Sequence, residues 1–245
     1  LNGSFAKKTV KGRRYWYFQF RDLDGRVRQI YVGPDAERVR NLMEQARDEP
    51  QASVTTLARS ALELGCKPLL PAHFRIVRRL SEWGFFNAGG ILIGTHAFLA
   101  LGNLLGVSWS MGAQTQDVDF AHVGKNISIA LPATVTVNVH KAIESLEMGF
   151  LPITSFEGTA GATYINPSKP DLRVDFVTTW HRGGDEPITP ENLNVAFQPL
   201  KFMEYLLEGP TQAALLSRAR AVLVNVPAPE RYALHKLVIH TERDK

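Results

Sequence analysis

Asp117 and Asp119 stand one residue apart in the run Gln114-Thr115-Gln116-Asp117-Val118-Asp119-Phe120-Ala121. Read as a strand, this run has a two-residue period that puts both carboxylates on one face. Val118 and Phe120 then turn to the opposite, core-facing side. Two like charges that close are unfavourable unless a proton or a cation neutralises them. A hard divalent ion such as Mg2+ prefers oxygen ligands and takes one or two carboxylates together with substrate phosphates. Asp175 has the same alternation, with Val174 and Phe176 inward and Arg173, Asp175 and Val177 on the other face. Were the two strands neighbours, three carboxylates would converge. That is the ligand set of a two-metal clamp on an in-line phosphoryl displacement. The alternative for each acid is a capped turn or a plain surface carboxylate.

The turn at Gly94-Thr95 offers the complementary part. It ends the apolar run Phe85-Phe86-Asn87-Ala88-Gly89-Gly90-Ile91-Leu92-Ile93, which reads as a buried strand, and it opens a helix from His96 to about Leu105. Gly94 leaves room for a phosphate against the backbone, and the free N–H groups of a helix start favour an anion. Thr95 either caps the helix or gives its hydroxyl to a phosphate. His96, just inside the helix, is a candidate nucleotide contact, with a packed or capping histidine as the alternative. Gly89-Gly90 is a weaker origin for the motif, because a phosphate loop belongs at the end of the strand.

Through Leu92-Ile93-Gly94-Thr95-His96-Ala97-Phe98, the run from Gln114 to Ala121 and the Asp175 strand, the chain resembles the DNA polymerase β-like nucleotidyltransferase superfamily. More closely, it resembles a bacterial nucleotidyltransferase-like family, over roughly residues 70 to 240. The resemblance implies an α+β fold with a nucleotidyltransferase-type mixed sheet flanked by helices. It also implies two Mg2+ ions, with Mn2+ as a substitute, and transfer of a nucleoside monophosphate from an NTP such as ATP to an acceptor hydroxyl, releasing pyrophosphate. Asp117 and Asp119 would hold the metals, and Asp175 would bind the ion that activates the acceptor. Lys236, in Tyr232-Ala233-Leu234-His235-Lys236-Leu237, would be a triphosphate-binding lysine on a C-terminal helix, against the alternative of a solvated helix lysine. About 20 residues separate Gly94-Thr95 from Asp117, longer than in many members, which enlarges the connecting loop. The acceptor (RNA end, protein hydroxyl or small molecule) and the base of the NTP stay open. Two other classes compete: a nucleic-acid-binding or regulatory module with vestigial carboxylates, and a metal-dependent nuclease in which the same acids activate water.

These residues need a frame. Ala162–Ile165 and Leu172–Val177 read as strands flanking the loop Asn166–Pro170, and Ile127–Leu131 is a further strand candidate. Helices are expected over Pro71–Trp83, Val137–Met148, Leu200–Glu208, Thr211–Ala219 and Pro229–Ile239. The first carries Phe74, Val77 and Leu80 on one face and Arg75, Arg78 and Arg79 on the other. At the N-terminus, Arg13–Arg21 and Arg26–Val32 around Asp22-Leu23-Asp24-Gly25 predict a β-hairpin. Asp35 then reads as the N-cap of a helix to Arg47, Asp48–Gln51 as a break, and Ser53–Leu64 as a second helix. The chain divides accordingly into a basic hairpin-and-helix appendage over 1–50, a core with leading helices over 51–198, and a helical C-terminal region over 199–245.

Composition bounds the rest. With 245 residues, 44% hydrophobic and 21% charged, the chain is a globular protein of ordinary make-up, not collagen-like, coiled-coil or disordered. No apolar run reaches the roughly 18 residues of a membrane span, and Leu1–Ser4 carries no apolar signal region, so a cytoplasmic protein without a membrane partner is expected. Cys66, the single cysteine, supports neither an internal disulfide nor a thiolate zinc site. His235 and His240 are five apart, which suits a zinc pair poorly, and Gly183-Gly184 lacks the residues of a Walker phosphate loop. Residues 1–32 hold eight Lys and Arg against two Asp, whereas the remaining 213 hold 20 basic against 22 acidic residues. The basic residues between 7 and 28 are thus a candidate nucleic-acid contact, with a solvated surface as the alternative. Tyr15, Trp16 and Tyr17 fit either base stacking or the hairpin's own packing, and the second is favoured.

Overall fold

The computed structural model describes residues 3–21, 27–108, 115–123, 137–154, 160–180, 184–190, 192–218 and 220–243. At the N-terminus the expected hairpin is a three-stranded antiparallel sheet of β1 (Gly3–Val10), β2 (Arg13–Arg21) and β3 (Val27–Pro34). The extra strand pairs Phe5 with Phe18 and Lys7 with Trp16. The Asp-Gly turn itself lies outside the described residues.

The helix that follows, α1 (Glu37–Glu63), is continuous, so the expected break at residues 48–51 is absent. Proline costs one backbone bond and some strain inside a helix. Here α1 runs through Pro50 as one helix of 27 residues, with good helix formers from Met43 to Arg47 ahead of it. Asp35 is not the cap either. Ala36 holds that position without a side-chain bond. The Asp35 carboxylate instead accepts from Trp16 Nε1 at 2.9 Å and pairs with Lys7 at 3.0 Å and Arg40 at 3.3 Å, tying the sheet to the helix.

The main body begins with α2 (Pro71–Glu82), whose proline at the first turn costs no hydrogen bond and whose Phe74, Val77 and Leu80 are buried. Three residues form β4 (Gly90–Leu92), and α3 (Gly94–Leu105) follows, closed by Gly106 in the left-handed region. The strand expected from Phe85 is therefore much shorter. Phe85 leaves the ladder because its ring fills the space beside Gly90, where an added Cβ would lie 2.2 Å from the ring.

Next come β5 (Asp117–His122), α4 (Val139–Glu144), β6 (Leu151–Thr154), β7 (Ala160–Asn166), β8 (Lys169–Thr179) and β9 (Gln198–Leu200). The helix α4 is shorter than expected, starting at Asn138, whose side chain accepts from the Lys141 N–H at 2.9 Å. Six strands make one mixed sheet in the order β4-β5-β8-β7-β6, with β9 alongside the end of β8. The β5–β8 and β8–β9 pairs are parallel and the others antiparallel. One face of this sheet is an aromatic core. Phe120 and Phe176 stack at 5.6 Å, with Phe85, Phe197 and Tyr164 around them. The strand expected at Ile127–Leu131 lies outside the described residues.

The C-terminal part is less helical than expected. A short α5 (Met203–Leu207) precedes a hairpin of β10 (Thr211–Ser217) and β11 (Arg220–Val226), and only then comes α6 (Pro229–Arg243). Thr211–Ser217, where a helix is expected, is thus a strand: its Ala-Leu content favours a helix, but pairing with the β-branched Val222, Val224 and Val226 decides the outcome. The architecture is α+β, with a mixed central sheet and helices packed on it. No helix among the described residues is long and apolar enough to cross a membrane.

Candidate active site

Val118, Phe120, Val174 and Phe176 are fully buried in the core, so the residues between them must face the other way. In the parallel β5–β8 pair, Asp119 lies opposite Asp175 and Asp117 opposite Arg173. The pairing that the sequence leaves conditional is present: the two strands are neighbours, and in register. All three carboxylates share one face. On the far side of β8, Thr163 of β7 is in register with Asp175 and donates its hydroxyl to Asp175 Oδ1 at 2.5 Å.

Gly94 closes the site from the side. It has φ +65°, and a Cβ built there would lie 2.1 Å from Asp119 Oδ2. Only glycine lets the start of α3 approach the carboxylate so closely. The preceding Ile93 N–H donates to the Asp119 carbonyl at 3.0 Å, fastening the corner to β5. Thr95 sits in the first turn of α3 and is not its cap, since Ile93 holds that position without a side-chain bond.

From the C-terminus, α6 reaches the same corner. Tyr232 donates its hydroxyl to the Gly94 carbonyl at 2.9 Å while its ring stacks on Phe98 at 5.9 Å. One turn on, Lys236 lies with Nζ 5.4 Å from the centre of the Tyr232 ring. Its charge reaches Asp119, whose carboxyl it pulls downward.

Burial nonetheless dominates Asp119. It pushes the carboxyl up to about 6, aided by the Asp175 and Asp117 charges and opposed by Lys236. Asp175 is raised for the same first reason, with the Thr163 hydrogen bond opposing and the Asp117 charge assisting.

His96 faces inward. Its Nε2 lies 2.9 Å from His73 Nδ1, the two rings meet edge to face at 4.7 Å, and both residues are buried. Burial, then the His73 charge, holds His96 down to about 3. Burial lowers His73 as well, against the pull of Asp117. The pair is therefore neutral near pH 7 and props the α3 corner from behind.

The donor set suits a hard divalent cation. It is all oxygen, and the Asp175 and Asp117 charges push Asp119 upward while the Asp117 charge pushes Asp175 upward, a repulsion that a cation would relieve. Among the described residues, no three or more His, Cys, Asp or Glu side chains stand in an arrangement that could by itself hold a metal ion, so substrate oxygens would have to complete any such site.

Three members of this site carry no signal of their own in the sequence. Thr163 becomes visible only once the β7–β8 register is known, and His73 only once α2 packs on α3. Tyr232 is detectable only as the residue one turn before Lys236, on the same helix face.

The basic N-terminal residues are partly engaged within their own sheet. Lys7 lies 4.8 Å from the Trp16 ring and pairs with Asp35, while Lys8 bonds Gln29 and lies 5.4 Å from the Tyr17 ring. Tyr15 and Tyr17 both pack against Tyr31, at 6.0 and 5.7 Å.

A family model described as Nucleotidyltransferase matches residues 72–245, a span that contains every carboxylate of the site, the Gly94 corner and Lys236. Comparison with curated proteins and with solved structures finds no match.

Proposed function

The chain belongs to that nucleotidyltransferase family, and on this premise we propose that it is a divalent-metal-dependent enzyme, using Mg2+ or Mn2+. It moves a nucleoside monophosphate from an NTP to an acceptor hydroxyl and releases pyrophosphate. The observation that carries this reading is the in-register pairing of Asp119 with Asp175, with Asp117 on the same face beside the Gly94 corner.

In this reading Asp117 and Asp119 would hold the ions and Asp175 would bind the one nearest the acceptor. When bound, two such ions neutralise charge on the attacking and leaving oxygens. The acceptor oxygen would form its bond to the α-phosphorus as the bond from that phosphorus to the α,β-bridging oxygen breaks, pyrophosphate leaving with that oxygen and the acceptor proton passing to the Asp175 carboxylate. Gly94 and the first turn of α3 give backbone N–H groups to a phosphate, and the Thr95 hydroxyl is placed to join them. Lys236 draws the triphosphate toward the same face. His96 acts through the corner it supports. The nucleotidyltransferase-type reading of the sheet, the cytoplasmic setting and the three-part division of the chain belong to the same proposal.

The test is a screen of each α-labelled NTP with Mg2+ or Mn2+ against RNA, protein and common metabolites. Label on an acceptor together with released pyrophosphate, both lost in Asp119→Asn, is the expected result. Absence of pyrophosphate release under every condition would overturn the reading, and strand cleavage without NTP would replace it with a nuclease.

A further inference from the structure

On the outer side of α2 lies an open groove of about 770 Å3, walled by α2 and by the turn of the β10–β11 hairpin. Arg75, Arg78 and Arg79 line one wall, Arg218 and Arg220 the other, and Glu82 is the sole carboxylate between them. The groove thus carries a formal +4, whereas everything after residue 32 holds 20 basic against 22 acidic residues. So dense a charge is not a background effect.

Among the described residues, Glu82 is the one carboxylate that pairs with these arginines. Arg75 donates to the Leu146 carbonyl at 2.9 Å and Arg79 to Ser145 Oγ at 3.1 Å, neither of which removes charge. Glu82 pairs with Arg78 at 2.7 Å and stands 3.7 Å from Arg79. Forked guanidinium donors match phosphate oxygens in geometry as well as sign. Pro68, Leu70 and Pro71 add apolar surface to the same groove.

We propose that this groove binds the phosphodiester backbone of a single nucleic-acid strand. Charge spread over two facing walls suits a chain of singly charged phosphates laid along the groove. A free triphosphate concentrates its charge at one point, whereas these five guanidinium groups are divided between α2 and the β10–β11 hairpin. Along α2, Arg75 and Arg79 are one turn apart, about 6 Å by the helical rise, which sets successive contacts on one wall. This surface is distinct from the basic N-terminal sheet, where Lys7 and Lys8 already have partners. The proposal requires no transfer chemistry, so binding is measured without NTP.

The experiment is fluorescence anisotropy of a labelled 12-nucleotide single-stranded RNA on the full chain, titrated between 50 and 200 mM salt. The double variant Arg218→Glu/Arg220→Glu, on the exposed hairpin turn, is expected to weaken binding by about tenfold or more. It should also flatten the salt dependence by about 0.7 for each phosphate that is no longer neutralised. Lys7→Glu/Lys8→Glu is expected to change binding by less than about twofold. Arg78→Gln, on the opposite wall, gives the same reading should the hairpin variant lose its circular-dichroism melt. Wild-type affinity in the groove variants, or loss of binding only in the lysine variant, would overturn the proposal. It would equally fail if ATP, pyrophosphate or polyglutamate displaced the strand at concentrations matching its own.

Discussion

Asp119 sits under two opposing demands. Burial and two neighbouring carboxylates oppose its ionisation, yet a metal ligand must be ionised. An acid whose folded pKa is near 6 rather than 3.8 binds its proton more tightly in the folded state. Its contribution to stability is fully present below pH 3.8 and is lost as pH rises through about 6. The full displacement corresponds to at most about 3 kcal/mol. Asp119→Asn should therefore unfold at a higher temperature than the wild type at pH 7, and the gap should close near pH 3.5. In the same variant, pyrophosphate release should fall by at least about a hundredfold, the scale of losing one preorganised electrostatic group. Saturating Mg2+ should raise the wild-type melting temperature, with about 2.7 kcal/mol gained at a hundred times Kd, and leave the variant where it was. A Mg2+ shift of equal size in both proteins would detach the metal from this carboxylate.

Gly94 meets Asp119 from the other side. Gly94→Ala adds a methyl where the carboxylate oxygen already sits, in a backbone region that side chains avoid. The variant should lose more than the roughly 1–2 kcal/mol that left-handed backbone costs a residue with a side chain, with thermal melting as the measurement, and its Mg2+ response should weaken because Asp119 must move.

At the scale of elements, alternation makes the site legible. Val118, Phe120, Val174 and Phe176 between the acids imply two strands with a common open face, and β5 and β8 have that form. The pairing of those strands is conditional in the sequence, because register between segments more than fifty residues apart leaves no local mark. Thr163 and His73 are hidden by pairings of shorter span, 12 and 23 residues, which likewise leave no local mark. Local composition misleads at Thr211–Ser217, where Ala and Leu suggest a helix and the partner strand Arg220–Val226 supplies the decisive pairing. That strand has a testable signature: Leu223 is 64% exposed, while Val224 beside it is 1% exposed. Leu223→Lys should leave the melting temperature nearly unchanged, within about 0.5 kcal/mol. Val224→Ala, which empties a core position, should cost about 2 kcal/mol. Equal losses at both positions would contradict a strand lying on the core.

At the scale of the molecule, the placement of the site separates what chemistry requires from what is attached to it. The three acids, the Gly94 corner, Tyr232 and Lys236 all fall within the matched span 72–245. The N-terminal sheet holds to α1 through Asp35, which joins Trp16, Lys7 and Arg40, and through Val39 packed under Gly33. None of these residues belongs to the carboxylate face. Removing residues 1–34 should therefore leave a folded chain whose pyrophosphate release stays within about twofold of the full protein, as expected when a sheet that supplies nothing to the carboxylate face is removed. The measurement is turnover with a small acceptor, beside a melt that reports folding independently. A folded but inactive truncation would place part of the catalytic apparatus in the basic sheet. An unfolded one would mean that α1, which also packs against β10 and β11, needs β1–β3 to hold its position.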